Sequence, residues 1–228
     1  MDPLIDAKRR AAQAALRELP LEGIVGLGSG STASIFVEEL AHEVRQGRRI
    51  VGVPTSDATR ALAARLQIPL LGDEGPWNIE VNVDGADEVS AELDLIKGGG
   101  GAHTREKIVN YASKRNVIIV DAGKLSTYLG EKWAVPVEVL PFAHGTTRSH
   151  IERFGTPALR VRAGAAVRTD AGNLLYDVSV LPIRDPAALD RELRAIPGVV
   201  ATGLFVQRAD VVLVAEAEGV RRLVRQRP

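Results

Sequence analysis

Glycine, hydroxyl and carboxylate residues of this chain fall into short clusters whose spacing suits binding an anion and moving a proton. Gly26, Gly28 and Gly30 alternate with Leu27, Ser29 and Ser31, and Thr32 follows. Glycines let a chain turn sharply and let backbone come close to a ligand. A helix starting at such a loop offers free N–H groups and a positive dipole end, to which the hydroxyls of Ser29, Ser31 and Thr32 add donors suited to phosphate oxygens. The dinucleotide fingerprint fails here. Position 31 is Ser where a third Gly is needed, and the next apolar run ends in Pro54, Thr55 and Ser56 rather than an acidic residue. No Lys follows Gly30, so a Walker loop fails too. The bland alternative is a plain strand-to-helix turn with a Ser/Thr cap, and Thr55, Ser56 and Asp57 read first as a capped helix start.

A second cluster is Asp84, Gly85, Ala86, Asp87 and Glu88, at the end of an apolar run. Three carboxylates in five residues repel one another if desolvated together, and such crowding can raise one pKa toward that of a proton shuttle. An acidic surface turn is the common alternative, and carboxylates alone would suit only Mg²⁺ or Ca²⁺. Lys97 is followed by four consecutive glycines, Gly98, Gly99, Gly100 and Gly101. Such a run costs about 0.5–1 kcal/mol per residue relative to Ala in a regular element. The run sits between the apolar Leu95 and Ile96 and a helical pattern, so a backbone wrapped around a small ligand explains it better than a linker does. Lys97 can act there as a point charge for an oxyanion. Glu106 follows in Thr104, Arg105, Glu106 and Lys107, either as a routine dipole partner at a helix start or as a general base presented by the glycine loop. Lys124, after the most apolar run, can be a second phosphate or hydroxyl contact. His42, His103, His144 and His150 are scattered with no zinc-binding spacing, so no metal is expected.

The elements that must hold these residues follow from the hydrophobic pattern. Apolar runs at 24–28, 49–53, 79–83 and 116–122 alternate with helical patterns at 5–18, 31–44, 57–66 and 104–114, and 68–71 reads as a short edge strand. Uninterrupted β-branched runs suit a doubly wound, mostly parallel α/β sheet covered on both faces. Beyond residue 130 the order becomes strand 135–140, helix 144–154, strands 158–162 and 174–180, helix 186–196 and strand 199–206. That is a βαββαβ, ferredoxin-like unit. A buried strand at 209–216 and a final helix after Glu218 complete the reading. We therefore expect an α/β domain of residues 1–130 and 207–228, with a smaller α+β domain of residues 131–206 inserted and serving oligomerisation and one wall of a cleft. The chain has 228 residues, with 29 Lys+Arg against 29 Asp+Glu and no Cys. Zero net charge argues against nucleic acid as a partner. The absence of Cys excludes disulfides and a thiol nucleophile. The N-terminus reads as a charged helix rather than a signal peptide, and no run reaches the roughly 20 apolar residues of a membrane span. A soluble cytoplasmic protein without membrane partners is expected.

Taken together, the stretches GLGSGSTA, PTSDATRAL, VDGADEV, IKGGGGAHTREK, VDAGK, VPVEVLP and IPGVVATGLF resemble the ribose-5-phosphate isomerase family, type A. They come in the family's order from about residue 20 to residue 215. The resemblance implies a homo-oligomeric, metal-independent and cofactor-free enzyme of the pentose phosphate pathway, a homodimer or homotetramer, acting on a sugar phosphate. It also implies the fold described above. Carried over, the family's substrate loop falls on Ser29, Gly30, Ser31 and Thr32, and its acidic turn on Asp84, Gly85, Ala86 and Asp87. The lysine-glycine loop falls on Lys97, Gly98, Gly99 and Gly100, the base on Glu106, and the late lysine on Lys124. Ser29 stands where Thr is common, Gly101 and His103 replace Ala and an aliphatic residue, and Gly123 replaces Ser. The phosphate seat stays open between the 29–32 loop and Lys124 with Lys8 or arginines. The rivals from other classes are a non-catalytic sugar-phosphate sensor and a nicotinamide-dependent oxidoreductase, the latter weakened by the failed fingerprint.

Overall fold

The computed structural model describes residues 3–226. Its chain begins with α1 (Pro3–Leu16), β1 (Glu22–Leu27), α2 (Ser31–Arg45), β2 (Arg49–Pro54), α3 (Asp57–Arg65) and β3 (Ile79–Asp84). Two short strands follow, β4 (Glu88–Val89) and β5 (Leu95–Ile96). Helix α4 (His103–Ala112) then runs into β6 (Ser113–Asp121) with no residue between, and a 3-10 turn occupies Ala122–Lys124. After it come β7 (Val135–Val139), α5 (His144–Ile151), β8 (Thr156–Leu159), β9 (Val161–Arg162), β10 (Ala165–Ala166) and β11 (Leu174–Ser179). The chain continues through α6 (Pro186–Arg194), β12 (Val199–Thr202), β13 (Leu204–Phe205), β14 (Val211–Glu216) and β15 (Gly219–Val224).

Residues cluster into two compact units. One holds the chain up to residue 86, 105–123 and from 208 on; the other holds 87–104 and 124–207. The first unit is built on a six-stranded sheet in the order β15-β14-β6-β3-β1-β2, parallel except for the β14/β15 pair. Its central strands carry Val25, Leu27, Val83, Val117, Ile118, Ile119, Val212 and Val214 at 0% exposure. Strands covered on both faces need such unbroken apolar sequence. Ala11, Ala12 and Ala15 of α1 and Phe36, Val37 and Leu40 of α2 pack into the same core.

The second unit holds a four-stranded antiparallel sheet in the order β12-β7-β11-β8. With α5 between β7 and β8, and α6 between β11 and β12, this is the ferredoxin-like arrangement read from the sequence. Pro186 opens α6 behind Asp185, whose side chain accepts from the Ala188 amide at 2.9 Å, the N-terminal signal expected from that pair. A small sheet of β13, β5 and β4 belongs to the same unit. It draws residues 87–104 there, whereas the sequence reading put them, and 124–130, in the first domain.

Three elements differ from expectation. Residues 219–224 form strand β15, antiparallel to β14, instead of a final helix. The spacing of Val220, Leu223 and Val224 imitates a helical face, but a turn at Ala217 and Glu218 lets the segment zip onto the sheet edge. Residues 68–71 make a single bridge, Leu70 to Gly52, rather than a strand. The 199–206 run divides at Gly203 into β12 and β13, because the Gly203 amide donates to the Pro136 carbonyl at 2.6 Å while β13 pairs with β5. Among the described residues no helix is long and apolar enough to cross a membrane.

Candidate active site

In the first unit, the chain leaving β1 meets the end of β3. The Gly28 amide donates to the Val83 carbonyl at 2.9 Å, and the Ser29 amide donates to Asp84 Oδ1 at 3.1 Å. The same carboxylate oxygen accepts from the Gly85 amide at 2.8 Å. Asp84 is fully buried. A Cβ on residue 28 would lie 2.2 Å from Asp84 Oδ1 and 2.6 Å from its Cα, so only glycine fits there. Ser29 Oγ lies 2.7 Å from Ser56 Oγ, 2.8 Å from Thr55 Oγ1 and 3.2 Å from Thr59 Oγ1. Ser56 also caps α3, accepting from the Thr59 amide at 3.1 Å. The cap reading of residues 55–57 therefore holds, and the same hydroxyls also fix the first glycine loop. At the start of α2, Ser31 Oγ accepts from Lys8 Nζ at 2.9 Å.

Glu106 sits in the first turn of α4 at 5% exposure. One turn on, Val109 lies close enough to β1 that a Cβ on Gly26 would approach its Cγ1 to 2.7 Å. Buried asparagines pin the helix to the sheet. Asn82 of β3 donates to Asn116 Oδ1 of β6 at 3.1 Å, and Asn116 Nδ2 donates to the Asn110 carbonyl of α4 at 3.1 Å. Glu106 is thus presented by a helix registered on the strand that ends in Asp84. The sequence reading did not single out these asparagines, although Asn82 and Asn116 stand out as amides within apolar runs.

In the second unit, the amide of Asp87 donates to the Ile96 carbonyl at 2.8 Å, and Asp87 Oδ2 accepts from the Gly99 amide at 2.7 Å. The Lys97 amide donates to the Gly203 carbonyl at 2.9 Å, and its side chain, 3% exposed, carries Nζ 5.6 Å from the Phe205 ring centre. Gly98 adopts φ +107°, which disfavours side-chain-bearing residues, and packs against the buried His103 ring. His103 Nε2 is 3.4 Å from the Ala201 carbonyl. Lys124 Nζ stands 5.2 Å over the Trp133 ring, a cation–π arrangement.

The acidic turn is not one crowded cluster. Asp84 serves the amides of residues 29 and 85, Asp87 serves Gly99, and Glu88 is turned into the protein at 0% exposure. Glu88 accepts from Ser126 Oγ at 2.7 Å, the Gly130 amide at 2.8 Å and the Lys132 amide at 2.9 Å, tying down the loop between Lys124 and Trp133. Glu138, 1% exposed, likewise accepts from Thr169 Oγ1 at 2.9 Å, Asn173 Nδ2 at 2.8 Å and the Thr104 hydroxyl at the start of α4. The sequence reading took Glu88 as part of the acidic turn and missed its anchoring role, and it missed Glu138 altogether. A carboxylate inside the apolar run 135–140 was the available signal for Glu138. Among the described residues no three of His, Asp or Glu are grouped to hold a metal ion.

A buried carboxylate on a helix start and a lysine heading a glycine loop are the parts needed to take a proton from carbon and stabilise the oxyanion that results. Comparison with known proteins fits this chemistry. The sequence pattern of ribose 5-phosphate isomerase A (phosphoriboisomerase A) matches residues 51–219. Ribose-5-phosphate isomerase A of Trichormus variabilis is 41% identical, covering 99% of this chain and 98% of its own length. The solved structure of ribose 5-phosphate isomerase A from Methanocaldococcus jannaschii superposes with a TM-score of 0.90 at 39% identity, covering 96% of this chain and 98% of that one. A D-ribose-5-phosphate isomerase solved in complex with phospho-erythronic acid gives a TM-score of 0.93 at 39% identity and the same coverage. With identity at this level running through nearly the whole of both chains, this chain belongs to the ribose 5-phosphate isomerase A family.

Proposed function

We propose that the chain interconverts D-ribose 5-phosphate and D-ribulose 5-phosphate through an enediolate, as a cytoplasmic homodimer or homotetramer of the non-oxidative pentose phosphate pathway. The observation that carries this reading is family membership joined to a buried Glu106, Asp84 and Lys97 at 5%, 0% and 3% exposure. In such surroundings fixed charges act far more strongly than in water.

Glu106 takes the proton from C2 of the open-chain aldose. The C2–H electron pair becomes the C1=C2 bond, and the carbonyl pair moves to O1. Lys97 and the amides of Gly98 and Gly100 stabilise the resulting negative charge, while the Gly99 amide holds Asp87 Oδ2 at 2.7 Å. Asp84 and Asp87 move the proton between O1 and O2 and assist opening of the furanose ring. Return of the proton to C1 gives the ketose. The reaction is redox-neutral overall, so it needs no electron carrier. The phosphate sits at the start of α2, where the Lys8–Ser31 pair adds a cation and a hydroxyl to the helix end; Ser29, Gly30 and Thr32 complete that loop, Gly85 and Ala86 line the acidic turn, and Lys124 makes a second contact. Residues 131–206 supply oligomer contacts, a role supported by the exposed Leu140, Phe142 and Val161.

An assay coupled to ribulose 5-phosphate formation should find turnover, and pentose phosphates but not NAD(P) should raise the melting temperature. Glu106→Gln should lower kcat by about 10²–10⁴-fold with little change in KM. Near-normal turnover with continued exchange of the C2 proton would remove Glu106 from its role. Light scattering that finds only monomers would remove the oligomer.

A further inference from the structure

We infer that Arg160, held by Asp177, is a positioning residue that sets which face of the glycine loop presents its amides to the reacting oxyanion. The identity of that oxyanion rests on the isomerase reading above. Arg160 lies between β8 and β9, and Asp177 lies on β11 opposite Ala158. Arg160 Nε donates to Asp177 Oδ2 at 2.9 Å and Nη2 donates to Oδ1, a two-pronged grip that fixes the plane of the guanidinium. The remaining nitrogen, Nη1, donates to the carbonyl oxygens of Gly98 at 2.8 Å and Gly99 at 3.1 Å. The Arg160 side chain is 14% exposed, and its charge is matched by Asp177. Its effect on the loop is therefore one of geometry more than of net charge.

The consequence follows from the planar trans peptide, whose C=O and N–H point in opposite directions. A Gly98 carbonyl aimed at Arg160 sends the Gly99 amide to the far side, where it meets Asp87 Oδ2 at 2.7 Å. A Gly99 carbonyl aimed at the same nitrogen sends the Gly100 amide to that far side as well. Successive amides on one side form a concavity suited to an anion, and a carboxylate oxygen already occupies the first of them. Residues 98–101 have no Cβ to bias these peptides. The Gly98 carbonyl also accepts from the Gly101 amide at 2.9 Å, so the guanidinium matters most for the Gly99 carbonyl, and with it for the direction of the Gly100 amide.

The test compares the full-length chain with Arg160→Lys, which keeps the aliphatic stem but loses the fork, and with Asp177→Asn, which keeps shape but loses the charged grip. Three readouts are taken: steady-state kinetics on ribose 5-phosphate, inhibition by phospho-erythronic acid, and amide hydrogen exchange of residues 97–101. The expected result for both variants is faster exchange confined to the loop. With it, kcat should fall by about 10²-fold, the loss typical of one oxyanion donor, while KM stays within about two-fold. Affinity for phospho-erythronic acid, whose carboxylate resembles the enediolate, should fall more than affinity for substrate. Unchanged loop exchange overturns the inference whatever the activity, and so does unchanged kcat. A wild-type chain without isomerase activity would sink the functional reading instead, and loop exchange in the variants would then decide the positioning role alone.

Discussion

The two glycine loops, 26–30 and 97–101, hold backbone close to other groups by different means. In the first, a neighbour demands glycine at position 28, and the backbone demands it at position 30, where φ is +101°. Asp84 fills the space a Cβ on Gly28 would need, and neutral hydroxyls from Thr55, Ser56 and Thr59 then lock Ser29. In the second, glycine is demanded by the backbone itself, with φ +107° at Gly98 and +83° at Gly101. Ionised groups, Asp87 and the Arg160–Asp177 pair, do the holding there. The first loop is shaped mainly by packing at position 28 and by hydroxyls around Ser29, with Asp84 also accepting from the Ser29 amide, whereas the second is held mainly by charged side chains gripping its peptides. Similar glycine content therefore does not mean similar construction.

Substitutions can break or sharpen this contrast. Gly28→Ala should destabilise by about 3 kcal/mol, the upper range for forced overpacking, because both the Asp84 side chain and its backbone stand in the way. Urea unfolding measures it, and a loss under about 1 kcal/mol would show that the first loop yields. Gly98→Ala should cost about 2 kcal/mol from left-handed backbone strain, with a further contact 2.7 Å from His103 Nδ1. If adding His103→Ala restores full stability, packing rather than φ governs the second loop and the contrast fails. Ser56→Ala should cost about 1 kcal/mol through loss of the α3 cap, and should raise exchange at Ser29 but not at Gly99.

The smallest effect lies outside both loops. The Arg222 guanidinium hydrogen-bonded to Glu18, with Arg115 beside it, holds the Glu18 carboxyl below its usual range against the opposing effect of burial. A carboxyl lowered by folding stabilises above its unfolded-state pKa, and that contribution is lost as acid protonates it. Glu18→Gln should therefore remove about 0.5 kcal/mol at neutral pH and nothing at about pH 3. Denaturation midpoints at the two pH values check this, and kinetics at neutral pH should not change.

Much of the fold was legible because it rests on repeated local patterns. Apolar β-branched runs ending at Gly28, Val53, Val83 and Ala122 announced parallel strands, and Pro186 behind Asp185 announced α6. Strand β15 was not legible, since Val220, Leu223 and Val224 carry helical spacing and only the partner strand decides the outcome. The residue types of the candidate site were visible as motifs, but their division of labour was not. Nothing adjacent in sequence says that Glu88 serves a loop 38 to 44 residues away. The link from Arg160 to carbonyls 61 and 62 residues upstream is equally silent.

The direct passage from α4 into β6 has a consequence for how this protein can vary in length. With no slack between Ala112 and Ser113, a residue inserted or deleted there would rotate the helix by about 100° or flip the strand's inside and outside. Either change would carry Glu106 away from its setting. The β9–β10 tip, where Val161 through Ala166 are all exposed, is where the chain can lengthen at little cost.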